Sequence, residues 1–156
     1  MKLYQRLNRI LEILLIFLLS ILVIDVLWQV FSRYVLASPS SFTDELAGYL
    51  LIWVSLLGAA YVAGRQEHLA IDILLQRSAP PRKKRLQLII QGIIFIFALT
   101  VMVTGGSWLV YTRFVLGVRS AALELPLGYV YIVLPLSGLL ICYFSIHHIQ
   151  ELLKKS

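Results

Sequence analysis

Asp25, Gln29 and Arg33 stand four residues apart in an otherwise apolar run, with Ser32 beside them. On a helix that spacing puts a carboxylate, an amide and a guanidinium on one face. In lipid an acid is expensive and marks a function or a fixed contact. Asp25 could bind a cation or a proton, or it could hydrogen-bond to a neighbouring helix. The second reading is preferred, because a self-sufficient pump usually shows broken helices or a cluster of buried charge. The sequence has neither. Thr100, Thr104 and Ser107, with Tyr111 following, form another polar stripe in a later apolar run. Asp25, Gln29, Thr100, Thr104 and Ser107 are therefore expected to make polar contacts inside the membrane.

Other chemistries lack their residues. No HExxH, GxSxG, P-loop or glycine-rich phosphate fingerprint occurs. No serine stands near a plausible base on one helix face, so nothing favours an enzyme. Haem needs axial histidines well inside facing helices. His147 and His148 are adjacent and so point to different sides, and they and His68 fall at the ends of apolar blocks. All three read as interfacial histidines near lipid headgroups. Cys142 is the single cysteine, which leaves no disulfide framework, and it reads as a small apolar filler. No cofactor or metal is expected.

The elements that must carry these residues follow from composition. The 156 residues are 60% hydrophobic and only 14% charged, against about 25% charged in soluble domains. Four apolar blocks hold the excess. The expected fold is an all-α membrane protein, one domain over 1–156, with transmembrane helices near 10–36, 43–63, 86–111 and 127–148. The first block is longer than the roughly 7–15 apolar residues of a signal peptide, and reads as a retained helix. At about 1.5 Å per residue it spans some 40 Å, more than the roughly 30 Å hydrocarbon core, so it must tilt or project.

A turn around Pro39 leads into Ser41-x-x-Asp44, a capping signature. Asp44 and Glu45 suit the positive end of the next helix. Ala59 with Ala63, and Ala60 with Gly64, are small-xxx-small pairs, and Gly48 and Ser55 extend a small-residue surface suited to close helix packing. After Gly64, the residues Arg65, His68, Asp72 and Gln76 align on one stripe of a short interfacial helix, 65–77. Pro80 and Pro81 end it. The run Arg82, Lys83, Lys84 and Arg85 reads as a segment that binds lipid headgroups and sets topology. Pro126 opens the fourth helix, and Pro135 should kink it. Trp28, Trp53 and Trp108 read as lipid-facing or interhelical packing.

The net charge of +6 does not signal nucleic acid, because the cations sort by topology. Lys2, Arg6, Arg9, Arg65, Arg77, Arg82, Lys83, Lys84, Arg85, Lys154 and Lys155 lie on one side of the helices. Only Arg33, Arg113 and Arg119 lie on the other. The positive-inside rule then puts both termini in the cytoplasm and the turns near Pro39 and Arg119 outside.

Four stretches together resemble one family. They are QVFSRYVL at 29–36, SFTDELAGYLLIWVSLLGAA at 41–60, EHLAIDILL at 67–75 and SAALELP at 120–126. In order and spacing they are similar to the small permease subunit (DctQ-like) of the tripartite ATP-independent periplasmic, or TRAP, transporters. The resemblance covers nearly the whole chain. It implies a bacterial inner membrane protein that scaffolds a large membrane subunit holding the substrate and sodium sites. It further implies a periplasmic substrate-binding protein that delivers an organic acid, and uptake driven by sodium without ATP. Among members the chain looks most like those for sialic acid. On this reading Arg33, Ser40, Asp44 and Arg119 help seat the periplasmic protein. Two alternatives stay open on the residues alone. One is a small homo-oligomeric transporter that uses Asp25. The other is a structural, redox or assembly subunit of some other membrane complex.

Overall fold

A computed structural model describes residues 2–38, 40–65 and 80–154. Helix α1 is Lys2–Tyr34, α2 is Ser41–Arg65 and α3 is Pro80–Phe97. A π-helical segment, Ala98–Gly105, joins α3 to α4, Gly106–Val115. The last span is α5, Leu127–Tyr131, followed by α6, Val133–Lys154. Four of the described helical stretches are long and apolar enough to cross a membrane: Leu3–Tyr34, Ser41–Arg65, Lys83–Val115 and Leu127–Lys154. No strand occurs among the described residues, only an isolated bridge between Arg119 and Pro126. The fold is all-α, as the composition requires.

The helices outrun the apolar blocks. Residues 2–9 continue α1 because Tyr4 and Leu7 pack against the core that Leu11, Leu57, Val133 and Phe144 form. The fourth span continues past His148 to Lys154. The third begins at Pro80, a residue suited to a first helical turn. The expected interfacial helix lies largely outside the described residues, with His68, Asp72 and Gln76. Arg65 belongs to the last turn of α2.

The spans form a row. Helix α1 packs on α2, α2 on α6, and α6 on α3 and the π-helical segment. The fourth span is therefore central, with 44% of its apolar window buried, against 11%, 17% and 11% for the other three. Small residues make this possible. Ala60 and Ala63 of α2, Ala98 and Met102 of the third span, and Ile141 and Cys142 of α6 between them form one buried cluster. Ala60 and Gly64 face inward, as the small-residue spacing suggests, whereas Gly48, Ser55 and Ala59 are exposed. Cys142 is buried in this cluster as filler.

Pro135 breaks the last span where it should. It has no N–H for the Tyr131 carbonyl, and the helix is interrupted at Ile132, between α5 and α6. One residue away, Trp53 Nε1 donates to the Val130 carbonyl at 3.0 Å, tying α2 to the break. Trp53 is thus an interhelical contact, while Trp28 and Trp108 are exposed. The π-helical segment was not legible from spacing. Its threonines bond to their own helix, Thr100 to the Ile96 carbonyl at 2.7 Å and Thr104 to the Thr100 carbonyl.

The third and fourth spans approach most closely at glycines. A Cβ on Gly138 would stand 2.7 Å from Met102 Cβ and 3.2 Å from the Val103 backbone nitrogen. One on Gly106 would stand 2.8 Å from Leu134 Cδ2 and 3.1 Å from the Pro135 nitrogen. Forcing extra atoms into a packed site costs roughly 1–3 kcal/mol. Gly138→Ala is therefore expected to lower the thermal unfolding midpoint of the detergent-solubilised protein. Gly58→Ala, where a Cβ meets nothing within 4 Å, should leave it unchanged or raise it, since alanine is the better helix former. Equal midpoints for the two variants would contradict this packing.

Candidate functional site at the loop end

The end of the bundle that carries the 35–40 and 116–126 connections is organised by Glu45. Its position one turn into α2 aims the carboxylate across the row at the loop 121–123. Oε1 accepts the Ala121 N–H at 2.9 Å and the Tyr49 hydroxyl at 3.0 Å. Oε2 accepts the Ala122 and Leu123 N–H groups, each at 2.9 Å. A carboxylate offers about four acceptor sites, and all are in use. Three successive backbone N–H groups converging on one anion form a nest, here filled by the protein's own side chain.

The rest of the loop bonds to itself. The Ser120 N–H donates to the Leu125 carbonyl at 2.9 Å, and the Leu127 N–H to the Val118 carbonyl at 3.0 Å. The Ser120 hydroxyl oxygen accepts the Leu125 N–H at 3.3 Å. Gly117 and Glu124 take the left-handed conformation, φ +60° and +53°, that the reversal needs. In this frame Arg119 is exposed, and Arg113 lies over the Tyr131 ring at 5.8 Å.

Arg33, Ser40, Asp44 and Arg119 all fall at this end. Two of them meet: Arg33 Nη2 lies 3.5 Å from Asp44 Oδ1, with both side chains about half exposed. Ser40, just ahead of α2, accepts the Thr43 hydroxyl through its carbonyl at 3.0 Å. Asp44 thus pairs across to α1 as well as sitting in the first helical turn.

The predicted polar face of α1 divides. Asp25 and Ser32 are buried, 8% and 3% exposed, whereas Gln29 is intermediate and Arg33 exposed. Ser32 donates to the Gln29 carbonyl at 3.0 Å. Asp25 Oδ2 is buried with no hydrogen-bond partner among the described residues. Thr100, Thr104 and Ser107 are exposed among the described residues, and Thr100 and Thr104 bond to carbonyls of their own helix. In the basic run, Lys83 and Arg85 are exposed in the first turns of α3, Lys84 is intermediate, and Arg82 lies in the same helix.

At the opposite end His148 departs from the interfacial reading. His148 is buried, and its Nε2 lies 3.2 Å from the Ala63 carbonyl. Tyr4 donates to the Gly64 carbonyl, stacks on His147 at 4.7 Å, and meets Phe144 edge-on. Ala63 and Gly64 lie in the last described turn of α2. Tyr4 and His148 supply partners from α1 and α6. His147, His148 and Glu151 place ligand atoms within 4.8 Å of one another. His148 is already spent on Ala63, and His147 is packed on Tyr4 with Nδ1 3.9 Å from Glu151, so packing accounts for the group.

Sequence reasoning missed Glu45 as a loop clamp, and Tyr4 and His148 as a clasp. Glu45 carried a signal, an acid followed four residues later by a hydroxyl donor, but its chief partners lie 76 to 78 residues away. Replacing Glu45 with alanine should speed amide hydrogen exchange at Ala121, Ala122 and Leu123, read residue by residue. Asp44→Ala should leave those amides protected. Unchanged exchange in the Glu45 variant would show that the loop holds itself.

Comparison with known proteins places this architecture. The profile of the DctQ component of tripartite ATP-independent periplasmic transporters matches residues 22–155. A Haemophilus influenzae protein named as a TRAP transporter small permease is 30% identical over 136 residues, 86% of this chain and 81% of that protein. The C4-dicarboxylate TRAP transporter small permease DctQ of Rhodobacter capsulatus is 28% identical over 100 residues, 64% of this chain and 44% of its own length. The sialic acid TRAP transporter small permease SiaQ of Vibrio cholerae is 32% identical over 83 residues, 53% of this chain and 47% of its own length.

Proposed function

The chain belongs to the DctQ family of tripartite ATP-independent periplasmic transporters, and on that premise we propose that its loop end helps seat a periplasmic substrate-binding protein. Membership itself makes it a small membrane subunit, multi-pass in the bacterial inner membrane, working with a large permease subunit and not an enzyme.

The observation that carries the proposal is the Glu45 clamp. A docking surface binds better when its loop is ordered beforehand. Three hydrogen bonds to one carboxylate hold the 121–123 backbone, and that leaves Arg119 displayed on a fixed loop at the same end as the Arg33–Asp44 pair. The positive-inside count favours the periplasm for this end. Exposed cations there would steer and orient an acidic patch on the soluble partner.

The large subunit would take up faces that this chain leaves open. Gly48, Ser55 and Ala59 of α2 and Thr100, Thr104 and Ser107 of the third span are exposed and suit close helix contact. Sodium and substrate sites would then belong to the larger protein. The cargo would be an organic acid. The names of the relatives favour two classes, C4-dicarboxylates and sialic acid, both carboxylates.

Arg33→Glu combined with Arg119→Glu should reduce uptake by the reconstituted three-component system roughly tenfold or more, the scale for placing like charges across an interface. The large subunit should still co-purify. Unchanged uptake would reject the docking role.

The unpartnered Asp25 oxygen favours one second reading, in which Asp25 is a coupling acid of a small homo-oligomeric transporter. The preferred role is structural, so Asp25→Asn should keep sodium-dependent uptake. Selective loss of the sodium dependence, or transport by vesicles of this chain alone, would favour the second reading.

A further inference from the structure

The stretch from Gly106 to Tyr131 is bounded at both ends by a departure from α-helical bonding. Before Gly106 lies the π-helical segment Ala98–Gly105, and after Tyr131 lies the break that Pro135 causes. The two departures touch. A Cβ on Gly106 would stand 3.1 Å from the Pro135 nitrogen, and one on Gly138 would stand 3.2 Å from the Val103 nitrogen. They therefore lie side by side, at one level of the bundle. Proline removes a backbone hydrogen bond from the fourth span. The π-helix replaces the usual pattern of the third with a rarer, wider one. Prolines and π-helical turns are where helices bend sharply.

Between these points the chain holds itself together. A Cβ on Gly128 would stand 2.5 Å from Phe114 Cε2, so α4 and α5 meet flush. The Phe114 ring also meets Tyr129 edge-on at 5.1 Å, and Arg113 lies over the Tyr131 ring. The Ser120 N–H bond to Leu125 and the Leu127 N–H bond to Val118 close the loop. Helix α4 packs chiefly on α5 and on the π-helical segment that leads into it, and the pair touches α2 and α6 sparingly. Its polar ties to α2 sit at the base and at the tip. Trp53 Nε1 bonds to the Val130 carbonyl, and the Glu45 carboxylate holds the N–H groups of Ala121, Ala122 and Leu123.

We propose that Gly106 to Tyr131 is a rigid hairpin that pivots as one body at the level of Pro135 and the π-helical segment, and that Glu45 is the latch that holds it against α2. Helix α4 is about 15 Å long, so a bend of about 20°, the scale of a sharp helix kink, carries the loop about 5 Å. The moving part at the base is the segment that exposes Thr100 and Thr104. On the docking role proposed above, on which this last step rests, a soluble protein that takes hold of the loop works the hairpin as a lever. Its short arm then bears on a face open to the large subunit.

The test uses the chain with its large subunit in nanodiscs, without the soluble protein, so that a failure of the hinge and a failure of docking are read apart. Spin labels are carried by Phe42→Cys and Leu116→Cys, both exposed positions, in a Cys142→Ala background with the large subunit freed of reactive cysteine. Pulsed electron spin resonance then reads the distance from the start of α2 to the hairpin tip. One narrow distribution is expected. Glu45→Ala should widen or shift it by about 5 Å. Adding Pro135→Ala, which restores an N–H to the fourth span, should narrow it again. Gly105→Ala should do the same, and it serves where the proline variant does not assemble, because its Cβ meets only the Thr100 carbonyl at 3.8 Å. In the Glu45 variant the Ser120 and Leu127 amides should stay protected from hydrogen exchange while Ala121, Ala122 and Leu123 lose protection. Loss at all five would mean that the loop melts rather than pivots, and would overturn the proposal. So would a distribution that Glu45→Ala leaves unchanged, or one that neither Pro135→Ala nor Gly105→Ala narrows.

Discussion

A backbone carbonyl or N–H inside a bilayer has no water to turn to, so the protein must satisfy it. Several irregular features among the described residues are arranged around that constraint. Pro135 interrupts the last span, and Trp53 Nε1 bonds to the Val130 carbonyl beside the interruption. The third span departs from α-helical bonding over Ala98–Gly105, and Thr100 and Thr104 bond back to carbonyls of their own helix. The last carbonyls of α2 receive Tyr4 and His148 from two other helices. At the far end the problem is inverted: three loop N–H groups need acceptors, and one carboxylate supplies them. Interhelical polar contacts are thus placed where the helices end or break, and elsewhere small residues bring the helices together.

A row of helices buries less than a bundle. The central fourth span is well covered, but the other three present most of their apolar surface outward. In lipid that surface carries no penalty, because the solvent is equally apolar. What stands out is the polar and small surface on the same faces: Thr100, Thr104, Ser107, Gly48 and Ser55. The threonines have satisfied their hydroxyl protons internally, so they can face lipid or another helix at little cost. A subunit of a larger membrane assembly needs this kind of surface.

Much of the fold was legible because membrane insertion is written in long runs of one residue type. Four spans and the buried Ala60–Gly64 face follow from hydropathy and spacing alone. Helix ends were harder, because Tyr4 to Arg9 looks polar enough for a boundary and is held in α1 by packing that the sequence does not display. The π-helical segment has no spacing signal, since its threonines and glycines also suit an α-helix. Asp25 was singled out as an intramembrane acid, and it is buried. Glu45 passed as a helix-dipole residue, because its partners are backbone groups and those have no residue type to recognise. His148 was misread for a related reason. A histidine at the end of an apolar run looks interfacial until a second helix covers it.

The contacts along α1 are uneven. Its buried apolar packing comes from Leu7, Leu11, Leu14, Leu15 and Leu18, and Tyr4 locks the same half to α2 and α6. Beyond Leu18 the buried side chains of α1 are Asp25 and Ser32, and the tip is tied by a half-exposed ion pair, a type worth about 0–1 kcal/mol. Mechanically, α1 is a cantilever some 50 Å long, built in at its base and lightly tethered at its free end. Thermal deflection of such a beam grows with distance from the support. Arg33 therefore rides on the end of α1 that apolar packing holds less, while Arg119 rides on a loop held by the Glu45 clamp.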